Sequence, residues 1–342
     1  MKVGTLAQNL LTRQNISTTL TQLSKAEQQV SSGEKTPVFS GLGTDAATLL
    51  GLKSARDNLE TYSRSISTVQ RRASVMQTSL NQINDVAADM RAEVIKVSPD
   101  YKTDASVRSI LRVRAAEAIE EVNRVLNVQF EGRYLFSGIA VGTQPMADKG
   151  AVGTAGTPMD SVNGLITGYT NGTAAAVIAN VDTYFSAAGN FYTGNEGYNG
   201  DQSTTQISAR VDETYTITYG VRGDDRAVAQ ILNALYTLST LDYDAANEAG
   251  FDTIFDNALN NLTNGLDALS RVYGELGVKE QQLQELTDEH ESAINTLTLA
   301  ISEIEDADQY EAITEFQRLQ SQLQASYQVT ATLRNLTLTN YL

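Results

Sequence analysis

The chain has no cysteine and no tryptophan, a single histidine, and only four prolines in 342 residues. Without cysteine there can be no disulfide, no thiolate nucleophile and no thiolate-ligated metal. One histidine cannot form a metal cage or a catalytic pair with a second. Positive charge is also scarce: 25 Lys plus Arg stand against 41 Asp plus Glu, for a formal net charge of -16. A field of that sign repels phosphate backbones and anionic lipid, so nucleic-acid binding is not expected. No stretch approaches the run of about 18 apolar residues that a membrane helix needs, so no membrane insertion is expected either. Met1 to Leu11 lacks a basic segment followed by an apolar core, which argues against a Sec-type signal.

What the chain does have is a long apolar seam. Leu52, Ala55, Leu59, Tyr62, Ile66, Val69, Ala73, Met76, Leu80, Ile83, Ala87, Met90 and Val94 follow one another in alternating steps of three and four, and none is charged. A repeat of about 3.5 residues keeps facing a partner only in a left-handed coiled coil or bundle. At about 1.5 Å per residue this seam spans roughly 60 Å, which predicts a rod.

The flanking segments read as helices as well. Residues 1–32 carry Leu6, Ile16, Leu20, Leu23 and Val30 on one stripe, with Gly33 as a stop and Pro37 soon after. Asp45 suits an N-cap for the seam helix, which should stop near Ser98-Pro99. A second helix is predicted over 103–130, with Val107, Leu111, Ala115, Ala118, Val122 and Val125 on one face, antiparallel to the first. Residues 138–223 are glycine-rich and poorly charged. There Thr214, Thr216 and Thr218 alternate with Tyr215, Ile217 and Tyr219, and Ile207, Ala209 and Val211 suit a partner strand. This region reads as a β-rich, loop-heavy, solvent-facing insert that a short linker could replace.

Helical pattern returns over 225–241 and 251–270. A last long helix is predicted from about Tyr273, with Leu283, Leu286, His290, Ile294, Leu297, Ile301 and Ile304 as its seam. Phe316, Leu319, Leu323, Leu333 and Leu336 continue the stripe towards the end. The expected fold is mainly α: a long antiparallel coiled-coil or helical-bundle rod built from both chain ends, with a β-rich central insert. Three domains are expected: a terminal coiled-coil assembly domain (1–40 and 308–342), a long-helix rod (41–137 and 224–307) and an outer domain (138–223).

No constellation for catalysis, cofactor or metal emerges. His290 sits on a seam and reads as a core histidine. Gly150, Gly153 and Gly156 lack the Lys and Ser/Thr of a phosphate loop, and Asp242, Asp244 and Glu248 read as a helix-capping turn rather than a calcium loop. A glycan-binding adhesin, using the aromatic faces of Tyr169, Tyr184, Tyr192 and Tyr198, is one alternative reading. The better one rests on the amphipathic ends. A terminal helix that cannot bury its stripe within its own molecule is a device for binding copies or partners.

Several motifs bear a family resemblance. Val30-Ser31-Ser32-Gly33-Glu34-Lys35 followed by Gly43-Thr44-Asp45-Ala46-Ala47, Gly274-Glu275-Leu276-Gly277, and the closing Asn335-Leu336-Thr337-Leu338-Thr339-Asn340-Tyr341-Leu342 resemble the bacterial flagellins. Within that family, Phe130-Glu131-Gly132-Arg133-Tyr134-Leu135-Phe136-Ser137-Gly138 looks most like the branch at the hook–filament junction, with filament flagellins close behind. The resemblance implies a non-enzymatic axial subunit of the flagellum, outside the cell, that self-associates through its terminal helices. It also implies other axial proteins as partners, namely a hook-associated protein and flagellin. Export through the flagellar type III apparatus by an uncleaved signal, with an export chaperone, is implied too. Lys35 is followed by Thr36-Pro37-Val38-Phe39, a departure from the family's usual basic, Asn- or Asp-rich continuation.

Overall fold

The computed structural model describes residues 2–36, 43–98, 100–193, 196–203 and 205–339, with side chains described between residues 10 and 332 of those ranges. The connector from Pro37 to Leu42, Pro99 and the closing Asn340-Tyr341-Leu342 lie outside them. The chain divides into two compact units, Tyr62–Asp288 and the paired ends Met1–Thr61 with Glu289–Leu342.

In the unit 62–288 the long seam does what its period requires. Helix α2 runs Asp45–Val97. From Ile66 onward every seam residue, through Val69, Met76, Leu80 and Ile83 to Val94, is buried, whereas Leu52 to Tyr62, including Leu59, is half-buried. Helix α1 (Lys2–Ser32) precedes it. Helix α3 (Ala105–Leu126) follows, and the Asp104 carboxylate accepts from the Ser106 N–H at 2.7 Å to cap it. Its buried face is Leu111, Ala115, Ile119, Val122, Val125 and Leu126. The helix stops four residues before the expected end because Gln129–Phe130 (β1) turns back onto Arg133–Tyr134 (β2). That turn places Glu131 and Gly132 at φ of 51° and 73°, the left-handed geometry of a tight hairpin turn.

The insert differs most from expectation. Its hairpin is present, with Ser208–Arg210 (β3) antiparallel to Thr216–Thr218 (β4) and Ala209 opposite Ile217. The rest is not β-rich. Pro158–Ile166 (α4), Ala174–Tyr184 (α5) and Asn190–Thr193 (α6) are helices. Their apolar periods (Met159, Val162, Ile166; Ala174, Val177, Val181) last two or three turns, too short to stand out among glycines. Nor is the insert a solvent-facing loop. Helices α3, α4 and α5 all pack on α7 (Arg226–Thr240), in which every residue from Ile231 to Thr240 is buried. A helix covered on all sides is the centre of a core. The four tyrosines of the glycan reading belong to that core: Tyr169, Tyr184, Tyr192 and Tyr198 are 7%, 6%, 1% and 0% exposed. Their faces are therefore closed to a sugar, and that reading is set aside.

After a turn at Ala245–Asn247, where Asp244 accepts from the Ala246 N–H, helix α8 runs Glu248–Glu305 without interruption. The expected break near Tyr273 is absent. Phe255, Ala258, Leu262, Gly265, Leu269, Val272, Leu276, Lys279, Leu283, Leu286 and His290 form one unbroken three-four seam. Gly265 and Lys279 occupy seam positions and mask it in the sequence. Gly265 is needed there, since a Cβ would lie 2.7 Å from the Ile231 side chain of α7. Hydrogen bonds from Gln70 to Gln284 (3.4 Å) and from Gln77 to Glu280 (2.6 Å) show α2 and α8 antiparallel. The real break falls at Asp306–Asp308, and Gln309–Thr339 is α9.

Candidate assembly surface: the paired chain ends

In the unit formed by the ends, α1 and α9 pack against one another. What aligns them is a short clasp. Helix α1 closes with the Gly33 N–H bonded to the Gln29 carbonyl at 3.0 Å, and Gly33 takes φ of 77°, the left-handed cap that favours glycine. The chain then runs extended beside the break after α8. The Lys35 N–H donates to the Glu305 carbonyl and the Ala307 N–H to the Gly33 carbonyl, both at 2.7 Å, so Glu34 and Asp306 form an antiparallel bridge.

The Lys35 ammonium completes the clasp. It donates to the carbonyls of Glu303 at 2.6 Å and Ile304 at 3.0 Å, two of the acceptors that the end of α8 leaves without helical partners. Lys53 of α2 reaches Glu305 at 2.6 Å, with both side chains mostly shielded. On the far side, the Asp308 carboxylate accepts from the N–H groups of Tyr310 and Glu311 and starts α9. Helices α1 and α9 therefore leave the clasp antiparallel and in a fixed register.

The covered stripe along them is narrow. On α1, Thr19 and Ala26 are buried and Ile16, Leu23 and Val30 half-buried; on α9, Ala312 and Leu319 are buried and Phe316 and Leu323 half-buried. Leu20, expected on the stripe, is 43% exposed, and small Thr19 and Ala26 take the inner positions. Reading the stripe from large apolar residues alone misses such positions. The side chains of Leu6, Leu333 and Leu336 lie outside the described ones. Of the remaining seam residues, Leu283 and Ile301 are buried and Leu286, Ile294 and Leu297 half-buried, while His290 is 4% exposed.

Much apolar surface stays open along both helices. Leu10 and Leu11 are 59% and 60% exposed, Tyr310 is 83%, and Tyr327 and Val329 are 50% and 56%. Exposed apolar side chains repeated along paired helices mark surfaces that other chains cover. Among the described residues, no group of three or more His, Cys, Asp or Glu side chains is placed to hold a metal ion. No described helix is long and apolar enough to cross a membrane.

These features define a helical structural subunit whose two ends are joined and whose end surfaces are built to be covered. Residues 3–141 match the model of the bacterial flagellin N-terminal helical region, and residues 257–342 that of the C-terminal helical region. The chain belongs to the bacterial flagellin family, and it is a structural subunit of the flagellum that assembles with itself and with other axial proteins. A flagellar hook-associated protein from Vibrio parahaemolyticus shares its fold, with a TM-score of 0.53 at 14% identity over 76% of this chain and 97% of that one. FlgL of Bacillus cereus aligns with a TM-score of 0.48 at 11% identity, over 75% of this chain and 99% of its own. No curated protein matches the chain.

Proposed function

We propose that this chain is the subunit that joins hook to filament. The observation that carries the reading is the stretch Phe130–Gly138, whose likeness to the junction branch of the family is closer than to filament flagellins. In the structure it takes in the turn and second strand of the β1–β2 hairpin and the segment that follows, held to α2 by Glu131 beside Arg71 (3.7 Å) and Arg72 (3.5 Å). The hook-associated character of the Vibrio relative accords with it. In this reading 1–40 and 308–342 form the assembly domain, through Leu6, Ile16, Leu20, Leu23 and Val30 on one side and Phe316, Leu319, Leu323, Leu333 and Leu336 on the other. Residues 41–137 and 224–307 form the rod, and 138–223 the outer domain. Export through the type III apparatus, with a chaperone over the terminal stripes, belongs to the same reading.

A junction subunit must stop after one adaptor layer, whereas a filament subunit stacks without limit through a head-to-tail contact. Deleting the protein should leave hooks intact while filament subunits are shed into the medium, and seeded purified protein should not grow long filaments alone. Micrometre-long filaments of this chain alone would make it a filament flagellin instead.

A further inference from the structure

On the unit 62–288 of this chain of net charge -16, Arg64, Arg71, Arg72, Arg133 and Arg210 cluster around one stretch of α2. Arg64 and Arg71, seven residues apart and both exposed, lie on one face of α2. Both hairpins bring arginine to the flank beside that face. The β3–β4 hairpin is tied on where Ser65 Oγ donates to the Arg210 carbonyl at 2.9 Å, with the Arg210 guanidinium 6.0 Å from the centre of the Tyr62 ring. The β1–β2 hairpin is tied on by Glu131 beside Arg71 and Arg72, and it carries Arg133 opposite Phe130. Arg133 is exposed and has no ion pair among the described residues.

The complementary surface lies farther along the same helix. Between α2 and α3 runs a groove of about 460 Å³, lined by Asp89, Glu93, Glu117 and Glu121 together with Val86, Met90 and Arg114. Glu93 and Glu121 have partners on their own helices, Lys96 and Arg124. Asp89 and Glu117 are exposed and without ion pairs among the described residues. Ile110 and Val113, 56% and 54% exposed, flank the groove on α3. From Arg71 to Asp89 is 18 residues of continuous helix, about 27 Å at 1.5 Å per residue, beyond the reach of any side chain.

We propose that the arginine face of one copy docks onto the carboxylate-lined groove of a second copy, with the two copies staggered along α2. Neither surface can satisfy the other within one chain, and the contact is heterologous, so each copy offers one face and accepts one. Pairing the scarce cations with carboxylates offsets the mutual repulsion that strongly acidic subunits meet on assembling. The contact holds for an axial subunit of either kind and does not depend on the junction assignment.

The absence of cysteine makes the test clean. Full-length R133C and E117C chains, mixed under mild oxidation at low salt, should give a disulfide-linked heterodimer far above the yield of R133C mixed with T253C, a control at an exposed site on α8. R71E/R133E should weaken low-salt association on the order of tenfold, and combining it with a D89R/E117R copy should restore it. Cross-linking no better than the control, or no rescue by the reversed pair in variants with unchanged circular dichroism, would overturn the proposal.

Discussion

The Lys35 ammonium lies 2.6 Å from the Glu303 carbonyl oxygen, so a residue of the first connector caps a helix that ends some 270 positions later. The same lysine reaches the Ile304 carbonyl. Removing the cation should uncap α8 and loosen the register of the paired ends. Lys35→Ala should cost about 1 kcal/mol, the usual scale for a cation at a helix C-terminus. Hydrogen exchange over 303–309 should rise while that of α7 stays unchanged, and exchange over 303–309 equal to the parent's would show that the clasp contributes nothing.

Leu80 is 1% exposed at the middle of the α2 seam. Leu80→Asp puts a carboxylate where nothing can hydrate or pair it, at a cost of 4 kcal/mol or more, roughly. Cooperative melting followed by circular dichroism should vanish. A melting curve like the parent's would mean that the seam is not a core.

Two glycines of α8 should respond with opposite signs. At Gly265 a Cβ would stand 2.7 Å from Ile231 Cγ1 and 3.2 Å from the Ile231 backbone nitrogen; at Gly274 it would meet nothing within 4 Å. Gly274→Ala should therefore stabilise by up to about 1 kcal/mol through helix propensity. Gly265→Ala gains the same propensity but overpacks the α7 contact, for a net loss of about 1–3 kcal/mol. Chemical denaturation of both variants decides the matter.

Tyr101 packs in a three-ring cluster, stacked on Phe251 (5.3 Å) and tilted against Phe255 (4.9 Å), and its hydroxyl has no hydrogen-bond partner among the described residues. Burial, opposed by nearby Arg112 and Arg108, pushes its pKa up to about 12 from 10.0. The folded form thus holds its proton where the unfolded chain releases it, so stability is intact below pH 10 and falls as pH rises towards 12. Tyr101→Phe should leave stability at pH 7 equal or higher and should remove roughly 2–3 kcal/mol of the alkaline loss. Parallel pH titrations of stability for the two proteins would show no difference if the ring were solvated.

Replacing residues 140–222 with a Gly/Ser linker should strip α4 and α5 from α7 and expose its apolar surface. The expected outcome is a chain whose α7 exchanges freely and which binds a hydrophobic dye. An intact α7 would return the insert to the status of a dispensable appendage.

Much of this was readable from spacing alone. Ile66 to Val94, the Ala209–Ile217 hairpin and the start of α7 after Asp225 follow from periods and caps that the local chain displays. The remainder depends on other segments. The continuity of α8 hides behind Gly265 and Lys279, whose fitness for a seam shows only once Ile231 stands opposite the glycine. The insert's helices are brief, and their burial is set by α7. In the paired ends, the Gly33–Lys35 motif was visible, but its partner at 303–307 was not, since no local pattern announces a contact across the whole chain. Thr19 and Ala26 carry no such signal, because small residues at a close helix contact look like surface.

The burial of α7 has a consequence for the order in which this protein can take shape. Helix α3 ends at Leu126 and α7 begins at Arg226, so the central core closes a loop of about a hundred residues, and a chain released end-first has nothing to fold around until residue 240 has emerged. Until then α2 and α3 expose an unfilled apolar face and stay open to unfolding. About seven-tenths of the polypeptide, up to Thr240, must therefore be present before the central core can close.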